Sequence, residues 1–176
     1  MRKTELLERL AHLDEEAALL FDDDRRFQLV IAGGGALILL ETITRATEDI
    51  DALEASSAIR PLLAKYDINL DVNAYINNFA YNYEDRLVPL LAPGKKIDFY
   101  TVSLEDIVVA KLFSRRDSDR QDLADAHVWK ALDWNRLERL ATDEHEVRQS
   151  VMNDRQYSDF LANYEEYVRR YRPCGR

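Results

Sequence analysis

The sequence predicts an α/β protein of the α+β type with a helical C-terminal part. Short apolar segments with strand character lie at residues 27–32, 48–53, 86–92 and 96–102. The segments around them have the spacing of amphipathic helices, and the last third of the chain contains helical patterns of this kind. At 176 residues, the chain is long enough to bury a core of its own.

The N-terminal elements follow from hydrophobic spacing. Residues 3–20 predict an amphipathic helix, and residues 27–32 predict a short buried strand that leads into three glycines and a helical stretch at 36–41. Acidic and apolar residues alternate over 48–53, as in a half-buried strand. The apolar stripe of the first helix consists of Leu6, Leu10, Leu13, Ala17 and Leu20.

The later elements are marked by turn and capping residues. A tight-turn signal at 93–95 joins the strands at 86–92 and 96–102, whereas the segment 67–83 shows no assignable pattern. Ser103 with Asp106 resembles a capping box that opens a helix ending near Phe113. The remaining helices are predicted at 56–65 (shortened by Pro61), from Ser118 to about Leu132, at 135–141 and at 154–171, where an aromatic stripe indicates core packing.

Composition limits the classes of function. The net charge of −9 argues against wrapping of bulk nucleic acid, which depends on Lys and Arg at phosphates, but it permits a local basic patch. Arginines cluster at 115–120 and at 169–176. The single cysteine, Cys174, and three scattered histidines predict neither an internal disulfide nor a zinc site.

No segment predicts contact with a membrane. The longest apolar run, residues 29–40, is shorter than the roughly 20 residues that span a bilayer. After Met-Arg-Lys, glutamate, leucine and arginine alternate where a signal peptide would have its apolar region. We therefore expect a cytoplasmic protein.

The glycine run Gly33-Gly34-Gly35 is the first hint of a binding site. It follows a strand and precedes a helix, where backbone can approach a phosphate closely. A plain strand-to-helix turn is the alternative. The run is not a P-loop, because no Gly-Lys-Ser/Thr follows, and it lacks the Gly-x-Gly-x-x-Gly spacing of a dinucleotide site.

Asp49 and Asp51 are the candidate metal ligands. Two positions apart on a strand, they leave the same face, where two carboxylates repel each other. A divalent cation removes this repulsion, and carboxylate oxygens suit Mg²⁺ or Mn²⁺. The alternative is a pair of solvent-facing strand residues.

The order of these features resembles a known signature. Ala32-Gly-Gly-Gly-Ala-Leu-Ile-Leu, followed by Arg45-Ala-Thr-Glu-Asp-Ile-Asp51, is similar to the glycine turn, short helix and Asp-hydrophobic-Asp strand of polymerase-β-like nucleotidyltransferases. The resemblance implies a mixed sheet flanked by helices. It also implies a third carboxylate on a later strand, for which Asp98 in Ile97-Asp98-Phe99 is the best match. The alternative for Asp98 is a solvent-facing residue beside Lys95 and Lys96.

A second region sharpens the resemblance. Ser103-Leu-Glu-Asp-Ile-Val-Val-Ala-Lys111-Leu-Phe, then Arg115-Arg116, then Asp119-Arg-Gln-Asp122-Leu-Ala-Asp125, is similar to the distal motifs of AbiEii-type toxin nucleotidyltransferases and their compact relatives. The resemblance covers residues 27–126. It implies a nucleotidyltransferase-like domain at 1–126, including the N-terminal helix, and a helical extension at 127–176 packed on it.

Lys111 interrupts an apolar helical run and therefore needs either solvent or a partner. A triphosphate or an acidic side chain would serve. Asp122 and Asp125 are neighbours on one helix face. Their role is either catalytic support, together with Arg116, or an ion-pair or capping role with Lys111 and the arginines.

The resemblance implies a Mg²⁺- or Mn²⁺-dependent enzyme that uses an NTP. On this resemblance we expect Asp49 and Asp51 to hold the metals, and Asp98 to share one of them and activate the acceptor hydroxyl. The resemblance also implies an RNA, including a tRNA end, or a protein hydroxyl as acceptor, in a toxin–antitoxin or phage-defence setting with an antitoxin protein as partner. The residues expected to contact nucleotide or acceptor are Gly33, Gly34, Arg45, Thr47 and Lys111.

Two alternatives belong to other classes of function. The chain could be an inactive binding module of this fold, which binds a nucleotide, or a protein partner through the aromatic helix at 157–171. It could also be a structural helical adaptor, in which the order of glycines and aspartates is coincidental.

Overall fold

The structure, a computed structural model, describes residues 1–53, 55–90, 94–151 and 153–173. A five-stranded mixed sheet and a mostly helical C-terminal part confirm the predicted α/β class. The chain divides into two compact units, one formed by Met1–Ala74 with Arg86–Val102 and the other by Tyr75–Asp85 with Ser103–Arg176. The domain boundary predicted at residue 126 lies inside the second unit.

The sheet belongs to the first unit and has the spatial order β3-β2-β1-β5-β4. The central strand β1 runs antiparallel to β2 and parallel to β5. At the edges, β3 is parallel to β2 and β4 is antiparallel to β5. The strands are β1 (Phe27–Ile31), β2 (Ile50–Leu53), β3 (Ile68–Asn69), β4 (Val88–Pro89) and β5 (Ile97–Thr101).

Burial along β5 follows the period of two of a strand with one buried face, whereas Leu29, Val30 and Ile31 of β1 are buried in succession. In β5, Ile97, Phe99 and Thr101 are buried, whereas Asp98 and Tyr100 are half-buried on the other face. Of the strand predicted at 86–92, the described residues form β4 alone. Residues 91–93, which include Pro93 of the predicted turn, lie outside the described residues, as does Cys174.

The described residues of the first unit contain three α-helices beside the sheet: α1 (Lys3–Leu20), α2 (Gly33–Leu39) and α3 (Arg60–Lys65). Helix α1 has the predicted bounds and buries Leu6, Leu10, Leu13 and Ala17, but Leu20 is exposed because the helix ends there. Helix α3 begins later than predicted, with Pro61 in its first turn, where proline is tolerated.

Asp14, on the buried face of α1, anchors the chain that enters β5. Its carboxylate accepts hydrogen bonds from the backbone N–H groups of Lys95 at 2.6 Å, Lys96 at 2.7 Å and Ile97 at 2.7 Å. A Cβ at Gly94 would lie 2.1 Å from the carbonyl oxygen of Ile97 and 2.9 Å from Oδ2 of Asp14. The absence of a side chain at Gly94 therefore allows the carboxylate to reach these donors.

The second unit contains six further helices in its described residues. They are α4 (Leu104–Leu112), α5 (Asp117–Ala124), α6 (Ala126–Ala131), α7 (Trp134–Thr142), α8 (Val147–Ser150) and α9 (Asp154–Tyr171). The predicted cap of α4 is confirmed, because Oγ of Ser103 accepts from the N–H of Asp106 at 3.2 Å. The aromatic stripe of α9 packs in the core, as predicted, with Phe160, Tyr164 and Tyr167 buried.

The single helix predicted from Ser118 to Leu132 is wrong. The chain forms α5 and α6 instead, and Asp125 between them has an extended backbone. The Asp125 carboxylate caps α6 by accepting from the N–H of His127 at 2.9 Å. The unassigned segment after residue 67 contains β3 and two 3-10 helices, Asp71–Asn78 and Tyr83–Arg86. None of the helices in the described ranges is both long enough and apolar enough to cross a membrane.

Replacement of Asp14 by alanine should lower the free energy of unfolding by about 3 kcal/mol, because three backbone N–H donors, that of Ile97 fully buried, lose their acceptor. Urea denaturation followed by circular dichroism measures this loss. The matched control is Glu15→Ala, since the Glu15 carboxylate is exposed and lies 3.5 Å from the Lys95 ammonium. Equal losses in both variants would show that the Asp14 hydrogen bonds do not support the fold.

Candidate functional site

The Gly33-Gly34 turn lies against two side chains of the segment that enters β2. Gly33 has φ of +60°, and a Cβ at this position would lie 2.4 Å from Oδ2 of Asp51. A Cβ at Gly34 would lie 2.9 Å from Nη2 of Arg45. The structure therefore brings Gly33, Gly34, Arg45 and Asp51 together, and the missing side chains of the glycines make this close approach possible.

Backbone pairing creates this arrangement. The N–H of Ala32, at the end of β1, donates to the carbonyl oxygen of Asp51 at 2.8 Å. The antiparallel register of β1 and β2 thus sets the start of β2 beside the residue that precedes the glycines. Asp51 is half-buried in β2, whereas Asp49 is exposed and lies just before the strand.

Two polar residues hold Asp49. The side-chain amide of Asn69 donates to Oδ2 of Asp49 at 2.9 Å, and Oγ1 of Thr47 donates to its carbonyl oxygen at 3.1 Å. Thr47 is buried, and its N–H donates to the carbonyl oxygen of Met1 at 3.1 Å. Thr47 therefore shapes the loop that carries Asp49. In the same loop, the exposed Arg45 donates a hydrogen bond to the carbonyl oxygen of Ala46 at 3.2 Å.

Asn69 is a site residue that the sequence analysis missed. It lies in β3 and pairs in register with Asp51. The segment after residue 67 showed no assignable pattern, and a strand of two residues is too short to produce one. The signal in the sequence was a polar residue directly after the apolar Ile68, as expected for a strand with one polar face.

The structure does not bring Asp98 to this group. In the sheet, Gln28 aligns with Asp98, whereas Ala32 is hydrogen-bonded to Asp51. This four-residue offset corresponds to about 13 Å along the strands, and two strand spacings add about 10 Å across the sheet. A metal shared by Asp98 and Asp51 is incompatible with this register.

Asp98 has an ion-pair partner instead. Nε of Arg26 donates to Oδ2 of Asp98 at 3.0 Å. The hydrogen bonds from Arg26 hold the pKa of Asp98 below its ordinary value, although burial acts in the opposite direction. Lys95 and Lys96 lie beside Asp98 along the chain, but Arg26 is its ion-pair partner, and the ammonium of Lys96 approaches Asp23 at 3.8 Å.

Lys111, in the second unit, is buried and meets acidic partners. Its ammonium group pairs with Asp119 and lies 2.9 Å from Oδ2 of Asp122. Asp119 also accepts from Oγ of Ser114 at 2.6 Å and from Nε of Arg116 at 2.8 Å. These contacts match the ion-pair alternative for Lys111 and Asp122, and Asp125 has the capping role described above.

These partners keep Asp119 ionised. Burial acts to raise the pKa of Asp119, but the Lys111 charge and the surrounding hydrogen bonds lower it below the ordinary value for aspartate. A phosphate-binding role for Lys111 and a catalytic role for Asp122, Asp125 or Arg116 stay predictions.

The pair Asp49 and Asp51 fits a metal that takes few protein ligands. Within the described ranges, no three side chains of histidine, cysteine, aspartate or glutamate are grouped to hold a metal ion by themselves. Mg²⁺ commonly uses one or two carboxylates and completes its coordination with water and substrate phosphates. The two carboxylates of Asp49 and Asp51 are consistent with that mode of metal binding.

Replacement of Gly33 by alanine should lower the free energy of unfolding by about 2 kcal/mol or more, because a side chain at positive φ is strained and would collide with Asp51. Chemical denaturation measures this change. Gly35→Ala is the matched control, since its Cβ would lie 3.6 Å from Cγ2 of Ile31, an ordinary contact. Alanine also favours a helix over glycine, so a comparable loss at Gly35 would contradict the proposed strain at Gly33.

Replacement of Asp119 by asparagine should cost about 3 kcal/mol of stability at pH 7, because Lys111 loses one of its buried partners. The native pKa of Asp119 is lowered, so its contribution is present above the unfolded value of about 3.9 and is lost as the pH falls through the native pKa. Urea titrations between pH 7 and pH 3 should therefore show the two proteins converging in acid. Asp117→Asn is the control, since Asp117 is exposed on the same helix, and a pH-independent difference for Asp119 would contradict the ion pair.

The comparisons with known proteins agree with the resemblance of the glycine and aspartate segments to nucleotidyltransferases. No curated protein and no solved structure matches the chain. A family model matches residues 8–172, which is nearly the whole chain, and its description is nucleotidyltransferase of unknown function, DUF6036. The chain therefore belongs to this nucleotidyltransferase family.

Proposed function

We propose that the protein is an enzyme that transfers a nucleotidyl group from an NTP to a hydroxyl group, with Mg²⁺ or Mn²⁺ held by Asp49 and Asp51. The observation that carries the proposal is the close approach of the Gly33 turn to the Asp51 carboxylate. A metal-binding carboxylate then lies beside backbone that a phosphate can approach. Membership of the nucleotidyltransferase family supports the reaction class.

The chain's own residues divide into metal ligands, phosphate contacts and supports. Asp49 and Asp51 supply carboxylate oxygens, which Mg²⁺ and Mn²⁺ prefer. When bound, the metal neutralises phosphate charge and orients the phosphates for in-line displacement. Gly33 and Gly34 offer backbone without side chains, and the nearby Arg45 adds a positive charge for the phosphates or the acceptor.

Asn69 and Thr47 position Asp49 through hydrogen bonds. The amide of Asn69 engages one carboxylate oxygen, and Thr47 holds the backbone of the loop. Residues that orient a metal ligand in this way commonly change metal affinity by about 10- to 100-fold when removed. Lys111 and Asp98 are left out of this set because each has an ion-pair partner of its own.

The reaction follows from these roles. The acceptor oxygen bonds to the α-phosphorus while the bond from that phosphorus to the bridging oxygen breaks. Pyrophosphate leaves with the electron pair, and the acceptor proton passes to solvent. Catalysis of this kind depends mainly on positioning and on electrostatic stabilisation of the phosphates.

The acceptor and the biological setting rest on the likeness of the distal motifs to those of AbiEii-type toxin nucleotidyltransferases. On that basis we propose an RNA, such as a tRNA end, or a protein hydroxyl as acceptor. The same likeness supports a toxin role in a toxin–antitoxin or phage-defence system, with an antitoxin protein as partner. The acceptor and the toxin role thus rest on analogy with that family and not on the geometry of this chain.

The double variant Asp49→Ala/Asp51→Ala should lose Mg²⁺-dependent NTP binding in calorimetry. It should also lose transfer of label from α-labelled NTP to cellular RNA or protein by about a thousandfold or more, because metal stabilisation of phosphate charge supplies several kcal/mol. If the protein is a toxin, expression of the native chain slows growth and expression of the double variant does not.

Asp22→Ala/Asp24→Ala is the matched control, because these exposed aspartates have the same spacing and charge. This control should keep both binding and transfer. NTP binding without any transfer would indicate a nucleotide-binding module, whereas no binding of any of the four NTPs, with or without Mg²⁺, would overturn the proposal.

A further inference from the structure

A cavity of about 490 Å³ lies within the second unit, between the α4–α5 region and α9. This volume is in the range of small-ligand sites, about 300–1,000 Å³. We call it the arginine pocket and define it by the lining residues Arg115, Arg120, Glu166, Tyr167, Arg170 and Tyr171. The residues of the proposed metal and nucleotide site do not line it, but Lys111, which the sequence predicts to contact nucleotide, does.

The rim of the arginine pocket is positive in an acidic protein. Arg115, Arg120 and Arg170 are exposed and contribute three positive charges against the single carboxylate of Glu166. The whole chain carries a net charge of −9. Both arginine clusters of the sequence contribute to this one cavity, which therefore concentrates positive charge where the rest of the chain does not.

The three guanidinium groups are available to a ligand. In the part of the chain that the structure describes, no ion pair engages Arg115 or Arg170, and Arg170 lies 5.3 Å from the ring centroid of Tyr171. Arg120 is 3.8 Å from Asp117, and both side chains are exposed, so this pair is weak in water. Lys111 also lines the cavity, but its charge is compensated by its buried acidic partners.

Aromatic and apolar side chains complete the pocket. The rings of Tyr167 and Tyr171 have centroids 5.0 Å apart, and Leu112 and Leu123 add buried apolar surface to the lining. Burial raises the pKa of Tyr167, so its phenol stays neutral and adds no charge that would repel an anion. Its hydroxyl group is buried without a hydrogen-bond partner in the described residues.

We propose that the arginine pocket binds a phosphorylated nucleotide, either free or at the end of a single RNA strand. Guanidinium groups match the geometry of phosphate oxygens. The half-buried ring of Tyr171 adds aromatic surface for a base, whereas Tyr167 is buried and packs against it. The cavity is the size of a single small ligand, which favours one nucleotide over a segment of a folded partner. Binding here is independent of the proposed transfer reaction and can fail without affecting it.

Fluorescence anisotropy of a labelled ten-nucleotide RNA, measured without divalent metal, tests this proposal. Arg115→Ala and Arg170→Ala should each weaken binding by about tenfold, because each removes a charge-assisted hydrogen bond to phosphate. Arg170→Lys should lie between the native protein and the alanine variant, since lysine keeps the charge but loses the planar fork. Affinity should fall as salt rises.

Arg169→Ala is the matched control, because Arg169 is exposed next to Arg170 on α9 and does not line the pocket. It should change binding less than about twofold, as expected for an exposed, salt-screened charge that makes no direct contact with the ligand. Competition by AMP at concentrations similar to those of RNA would identify a free nucleotide as ligand, whereas competition by RNA alone would identify the strand. The proposal is overturned if neither ligand binds, if Arg169→Ala weakens binding as much as Arg170→Ala, or if a glutamate-rich peptide competes equally well.

Discussion

Backbone pairing between the end of β1 and the start of β2 is the interaction on which the candidate site depends. The hydrogen bond from Ala32 to the carbonyl oxygen of Asp51 sets the carboxylate beside Gly33, and the missing side chain of this glycine leaves the space that Oδ2 of Asp51 occupies. On the other side of β2, pairing with β3 sets Asn69 beside Asp51 and within hydrogen-bond distance of Asp49. Backbone hydrogen bonds thus position a glycine turn, two carboxylates and an amide relative to one another.

Exposure separates the acids that support the fold from the acids of the candidate site. Asp14 and Asp119 are buried, and each is satisfied by several donors, since an ionised carboxylate without partners would be costly inside the protein. Asp49 is exposed and Asp51 is half-buried beside the glycine turn, where a metal and phosphates could reach them. The same cost of an unpaired buried charge explains why the buried ammonium of Lys111 lies against the carboxylates of Asp119 and Asp122.

Elements with a strong local pattern could be predicted closely from the sequence. Helix α1, strands β1 and β5, and the capped helix α4 depend on periodicity and capping within a few residues. The helix predicted from Ser118 to Leu132 was wrong because the Asp125 side chain stabilises an extended residue between α5 and α6. Strand β3 could not be predicted, since two residues have no period and depend on pairing with β2.

The sequence by itself determined the family, the α/β class and the order of glycines and aspartates, because residue types and their spacing along the chain carry these properties. Only the tertiary structure decided which distant residues become neighbours. Sheet register separates Asp98 from Asp51 and brings Asn69 in, helix packing supplies Lys111 with Asp119 and Asp122, and two separate arginine clusters meet at one cavity. Spacing along a chain sets the face from which a side chain leaves its helix or strand, whereas strand pairing and helix packing between remote segments set what that side chain meets.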